Sequence, residues 1–175
     1  MKQSISLWQW MGFAVTSLFG TILHFLYEWT NESTWSALFS GVNESTWEHM
    51  KLLYFPMLFY ALIESRFFRD RTDFWCVKLI GIVAGLILIP TLFYTINGSF
   101  GKSPDWINIA IFFIAAAAAY LAETYLYNNA LLKCPHPRLA IFAIILVGIL
   151  FVVFTFITPQ IPLFRDPITG TYGIQ

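Results

Sequence analysis

The chain has 175 residues, 58% of them hydrophobic, 19% aromatic and only 11% charged. Soluble domains carry about 25% charged residues, so this chain lacks the polar surface that a water-dissolved globule needs. Ten basic residues balance ten acidic ones, and with no basic stripe there is no electrostatic footprint for nucleic acid.

A helix crosses the bilayer hydrocarbon with about 20 mostly apolar residues, and backbone in that layer must satisfy its own hydrogen bonds. Five segments meet or approach this requirement: 7–27, 47–63, 74–96, 106–126 and 139–157, with a tail at 158–175. The expected fold is all-α: one integral membrane domain over 1–175, a single bundle of five transmembrane helices.

The first segment begins like a signal peptide, with Lys2 ahead of an apolar run from Leu7. The run continues to Tyr27 and meets His24, Glu28 and Trp29 without a small-residue cleavage site, so it reads as a retained span. Gly12, Thr16, Gly20, His24 and Glu28 recur every four residues. They share one slowly drifting helix face, narrow enough to pack on other helices.

Between spans one and two, NESTW occurs at 31–35 and again at 43–47. Ser45 and Glu48 have the spacing of a capping box, which makes the second copy the start of span two. The first copy predicts a short interfacial helix around 35–39. Span two opens with Glu44, Glu48, His49 and Lys51 and contains Pro56; span three contains Pro90. Each proline deletes one helical hydrogen bond and is expected to kink its helix.

Gly81 and Gly85 in span three and the alanines at 115–119 in span four allow close helix approach. Either a homo-oligomer contact or packing within one chain follows, and the second is the expectation. Cys76 and Cys134 form neither a CxxC pair nor a disulfide framework, so two free thiols near helix ends are expected. Glu64, Glu123 and Lys78 fall at one shared depth, which predicts a Lys78 pair with one of the two carboxylates. A structural pair is favoured there over a proton or ion relay.

Orientation follows from basic residues near span ends. Lys2, Arg66, Arg69, Arg71, Lys133 and Arg138 lie at one end, against Lys102 and Arg165 at the other. This predicts a cytoplasmic N-terminus and an external C-terminus. Trp8, Trp10, Trp29, Trp47, Trp75 and Trp106 fall at span ends, as an interfacial aromatic belt requires. Asn31, Asn43 and Asn97 stand in NxS sequons on the outer side, meaningful only in a eukaryotic secretory protein. The proline- and glycine-rich tail is a shaped, non-helical segment on the same side. It either folds back as a lid presenting Arg165 and Asp166 or seals the end of the bundle.

The strings VNESTWEHMKLLYFP and IPLFRDPITGTYGI resemble a family of small bacterial membrane proteins of unknown function. The resemblance covers most of the chain, although the first NESTW copy lies outside it. It implies a multi-pass protein of the bacterial plasma membrane with about five spans, and it implies no activity or catalytic residue.

The ends of spans one and two bring two imidazoles and three carboxylates to one membrane face. Nitrogen and oxygen ligands of this kind suit zinc, manganese or iron. His24, Glu28, Glu48 and His49 are the candidate ligands of a divalent transition metal such as zinc, with Glu44 as general base for a metal-activated water. The corresponding function is a metal-dependent membrane enzyme acting on a lipid or other amphiphile, with membrane lipids as its surroundings. The alternatives are a small transporter or ion-handling protein, which needs a polar path across the bundle, and a non-catalytic accessory protein.

Overall fold

The computed structural model describes residues 2–101, 104–129 and 132–174, without the side chains of 2–4 and 105. Lys102 and the side chain of Lys2, both used above for orientation, lie outside the described residues. Among the described residues the fold is all-helical. The helices are α1 (Lys2–Trp29), α2 (Thr34–Ala37), α3 (Thr46–Glu64), α4 (Phe74–Phe100), α5 (Asp105–Asn129) and α6 (Pro137–Phe156), followed by a 3-10 turn at Pro162–Phe164.

Four stretches, Ile5–Trp29, Phe74–Phe100, Trp106–Asn129 and Pro137–Phe156, are long and apolar enough to cross a membrane. They turn large apolar side chains outward, among them Leu18, Phe19, Ile87, Leu121, Phe142 and Ile149. The interior, by contrast, holds Gln9, Thr16, Glu48, Lys51, Glu64, Lys78 and Glu123. The charged groups sit within a mainly apolar core, as hydrocarbon solvent demands, because charged groups in it must face protein and find partners.

Helix α3 carries Glu48, Lys51 and Glu64 of these buried charges. It packs against α1, α4, α5 and α6, and most of its residues are buried. The charges it carries therefore lie inside the bundle. Nineteen residues give it a length of about 28 Å. Its start matches the sequence expectation in part: the Ser45 hydroxyl accepts from the Glu48 N–H at 3.4 Å. The Ser45 N–H, however, donates to Asn43 Oδ1 at 2.9 Å, so the reciprocal half of the box is replaced. The first NESTW copy forms the short α2, capped at Ser33 without a side-chain bond.

Close packing relies on small residues where they were expected. A Cβ on Gly12 would collide with Tyr60 and Tyr120. One on Gly85 would stand 2.7 Å from Leu53 Cδ2 and 3.4 Å from Ala119 Cβ. The Gly81–Gly85 face of α4 is thus used within the chain, against α3 and α5.

The expectation of two free thiols is corrected. Cys76 at the start of α4 and Cys134 in the approach to α6 form a disulfide, with Cα atoms 5.9 Å apart. They are 58 positions apart, so no local spacing announced the pairing; the α4–α5 contact brings them together. Nearby, the Asp73 carboxylate takes two hydrogen bonds from Arg71, at 2.9 and 2.7 Å. Those bonds push the Arg71 guanidinium above its ordinary pKa.

Candidate functional site

At the end of the bundle where α1 stops and α3 and α5 begin, the polar residues fall into two groups with different chemistry. Asn31 and Glu32 adopt left-handed backbone, φ 53° and 59°, and turn the chain sharply after α1. Segment 38–45 then returns to start α3 beside α1, so His24 and His49 face each other with ring centroids 5.7 Å apart.

Glu44 lies between them. Its Oε1 is 3.6 Å from His24 Nε2 and its Oε2 3.5 Å from His49 Nε2. One donor atom from each of His24, Glu44 and His49 can be chosen so that all three fall within 4.8 Å of one another. His49 Nδ1 is 2.9 Å from the Ser45 carbonyl oxygen. That oxygen can only accept, so Nδ1 carries a hydrogen and Nε2 is the nitrogen turned toward the cluster, with its lone pair there in the neutral ring. A backbone partner of this kind commonly orients a metal-ligating histidine.

The His–carboxylate separations exceed the 2.7–3.2 Å typical of a hydrogen bond. They come close to the roughly 3.3 Å between neighbouring ligands of a tetrahedral ion bound at about 2.0–2.1 Å. The donor set, two imidazoles and one carboxylate, fits a borderline-soft divalent ion with a fourth position left for water or substrate.

The three residues of the cluster line a pocket of about 380 Å³. Leu52 and Phe112 lie deep in it, while Phe25, Ile109 and Phe113 belong to its exposed lining between α1 and α5. Gly20 lets α1 approach α3 and α5 closely beside it, since a Cβ there would meet the Phe112 ring and stand 3.0 Å from the Leu52 carbonyl oxygen. Thr21, Asn108 and Ile168 complete the lining.

The tail is anchored here. Buried Asp166 accepts from the Glu44 N–H at 3.2 Å, and Asn43 donates to the Gly173 carbonyl at 3.0 Å. Phe164 packs on Trp47 with centroids 4.6 Å apart. The tail both seals the end of α3 and lends Ile168 to the pocket, while Arg165 faces solvent.

Two of the residues expected as ligands take other places. Glu48 points into the bundle: its Oε2 is 2.5 Å from Lys51 Nζ and accepts from the Val42 N–H at 3.2 Å. Lys51 also donates to the Ala37 carbonyl at 3.0 Å and to Thr155 at 2.9 Å. This network ties α2, α3 and α6 together and leaves Glu48 no free face. Glu28 is exposed and outside the three-residue group. Glu44, expected as a base, is the carboxylate shared by both imidazoles. Ile168 and Asp166 carried no sequence signal toward this site beyond their place in the tail.

A second polar cluster lies at the opposite end, where Lys78 pairs with both Glu64 and Glu123. The sequence had offered one pair or the other.

The class defined by the fold is, among the described residues, an all-helical bundle with four helices long and apolar enough to cross a membrane, buried charges in its core and a His/Glu cluster at one end. The chain belongs to a family of unknown function (DUF6512), whose model matches residues 1–174. No curated protein and no solved structure matches it.

Proposed function

We propose that this is a five-span protein of the bacterial plasma membrane that binds one divalent transition metal ion through His24, Glu44 and His49. Its activity would be metal-dependent hydrolysis of a lipid or other amphiphile at the outer face. The observation that carries the reading is that all three donors line one pocket whose other walls are mostly apolar. A ligand lying there has its headgroup at the cluster and its chain among Phe25, Ile109 and Phe113. A bound ion would acidify a water and polarise a carbonyl or phosphoryl oxygen. The protein's own part is to hold both imidazoles by packing, fix the His49 tautomer through Ser45, and position Glu44 through Asp166.

In this reading α3 is the fifth span, enclosed by the others. The basic residues put the His/Glu end outside. The disulfide lies at the end they assign to the cytoplasm, where structural disulfides are uncommon. Basic residues orient the spans during insertion, whereas a disulfide forms afterwards.

The test is a mass-spectrometric screen of zinc-loaded protein against vesicles of mixed phospholipid headgroups. Hydrolysis products that disappear with chelator and in His49→Ala support the proposal. Stoichiometric zinc without conversion of any headgroup class would reduce it to ligand binding.

A further inference from the structure

The cluster at the other end has a charge count that does not close. Glu64 comes from α3, Lys78 from α4 and Glu123 from α5, and all three are at most 1% exposed. Lys78 Nζ contacts one oxygen of each carboxylate, 2.5 Å from Glu123 Oε2. Gln9 of α1 donates to Glu64 Oε1 at 2.7 Å. Two carboxylates face one ammonium, so the fully ionised cluster carries one unmatched negative charge in a low-dielectric interior, where such a charge is expensive.

Among the described residues, the surroundings do not supply the missing positive charge. Three aromatic rings, Tyr60, Phe74 and Tyr120, surround Lys78 Nζ at 5.5–6.0 Å from their centroids. The Tyr60 hydroxyl donates to the Trp8 carbonyl and the Tyr120 hydroxyl pairs with Thr16, each at 2.7 Å. Arg71 and Asp73 cancel each other in their own ion pair. Lys51, also buried, is taken by Glu48.

Buried polar atoms here that lack a hydrogen-bond partner include Glu123 Oε1, the Gln9 amide oxygen, the Tyr127 hydroxyl and Glu64 Oε2, of which Glu64 Oε2 still meets Lys78 as an ion pair. Tyr127 stands one helical turn beyond Glu123 toward the end of α5. Space has been left for Glu123, since a Cβ on Gly81 would collide with its carboxylate. We propose that Glu64, Lys78 and Glu123 form a one-proton binding site, with the proton held on the Glu123 carboxyl and exchanged with water past Tyr127. Adding H+ to one carboxylate gives a carboxylic acid and a neutral cluster, with no other bond made or broken.

The site is separate from the His/Glu pocket and does not depend on its function. Fifteen residues separate Gln9 from His24 on α1, His49 from Glu64 on α3, and Asn108 from Glu123 on α5. The two ends are therefore about 22 Å apart along three helices.

Infrared spectroscopy of the protein in lipid nanodiscs at neutral pH, in H2O and in D2O, tests the proposal by counting protonated carboxyls. The wild type should show a deuterium-sensitive carboxylic acid C=O band. Glu123→Gln and Glu64→Gln should each abolish it, because each leaves one matched pair. Lys78→Met should double it, because both carboxyls must then be neutral. A wild-type spectrum without such a band overturns the proposal whether or not the variants fold. So does a band that survives in both glutamine variants.

Discussion

The Glu48–Lys51 pair separates a structural carboxylate from a metal ligand, and replacing Lys51 with Met makes the distinction measurable. Lys51 is fully buried, and its ammonium serves three acceptors: Glu48 at 2.5 Å, Thr155 at 2.9 Å and the Ala37 carbonyl at 3.0 Å. Met keeps the apolar stem and removes the charge. Glu48 is then left with the Val42 N–H at 3.2 Å and the Thr155 hydroxyl at 3.3 Å. Breaking a buried ion pair from one side costs about 3–5 kcal/mol, and the orphaned Ala37 carbonyl adds about 1 kcal/mol. The double variant Glu48→Gln/Lys51→Met buries no charge and should recover about 2–3 kcal/mol of that loss, a coupling of the size contacting residues show. Reversible unfolding in mixed micelles reads all four corners of the cycle, with zinc binding measured on each variant that folds. Glu48→Gln should lose stability and keep zinc affinity. A Lys51→Met protein within about 1 kcal/mol of wild type would refute the reasoning, as would a Glu48→Gln variant of unchanged stability that no longer binds zinc.

Three further outcomes follow from the packing. Gly81→Ala should destabilise the protein by about 1–3 kcal/mol, the usual cost of overpacking, because its new Cβ meets the Glu123 carboxylate; wild-type stability in the same unfolding assay would contradict the α4–α5 contact. Reduced protein in whole cells should be labelled at Cys76 and Cys134 by membrane-permeant maleimide and not by an impermeant one; labelling by both would invert the orientation. Phe164→Ala removes a buried ring packed on Trp47 and Phe154. It should expose segment 158–174 to limited proteolysis, leaving the helices intact; an unchanged digest would mean that the polar anchors at Asp166 and Asn43 suffice.

Much of this architecture was legible in the residues, for identifiable reasons. The apolar runs mark α1, α4, α5 and α6 within a few residues because lipid-facing helices must be apolar over their whole length. Helix α3 was the weakest segment by that measure, and its charges are the mark of its enclosure by the others. The four-residue repeat on α1 picked out the packed face as far as His24 and not at exposed Glu28: Gly12 and Gly20 meet aromatic rings, Thr16 bonds Tyr120 at 2.7 Å, and His24 faces His49.

The choice among carboxylates was not legible. Adjacent residues on a helix point about 100° apart, so Glu48 and His49 cannot both face α1, and only packing decides which one does. Glu44 precedes the helix, where no periodicity fixes its direction; the Asp166 anchor on its N–H comes from the tail 122 positions away. The disulfide was hidden for the same reason. So was the Lys78 cluster's use of both carboxylates, which needs α3, α4 and α5 brought to one point.

Elemental analysis of protein purified in mild detergent from its own membranes, beside His24→Ala, Glu44→Gln and His49→Ala, bears on the proposed metal site without requiring a substrate. The account predicts about one transition metal ion per chain in the wild type, as a three-ligand site implies, and loss of that metal in all three variants with folding retained. Metal-free wild type that also fails to take up zinc on loading would contradict it, as would metal retained in all three variants.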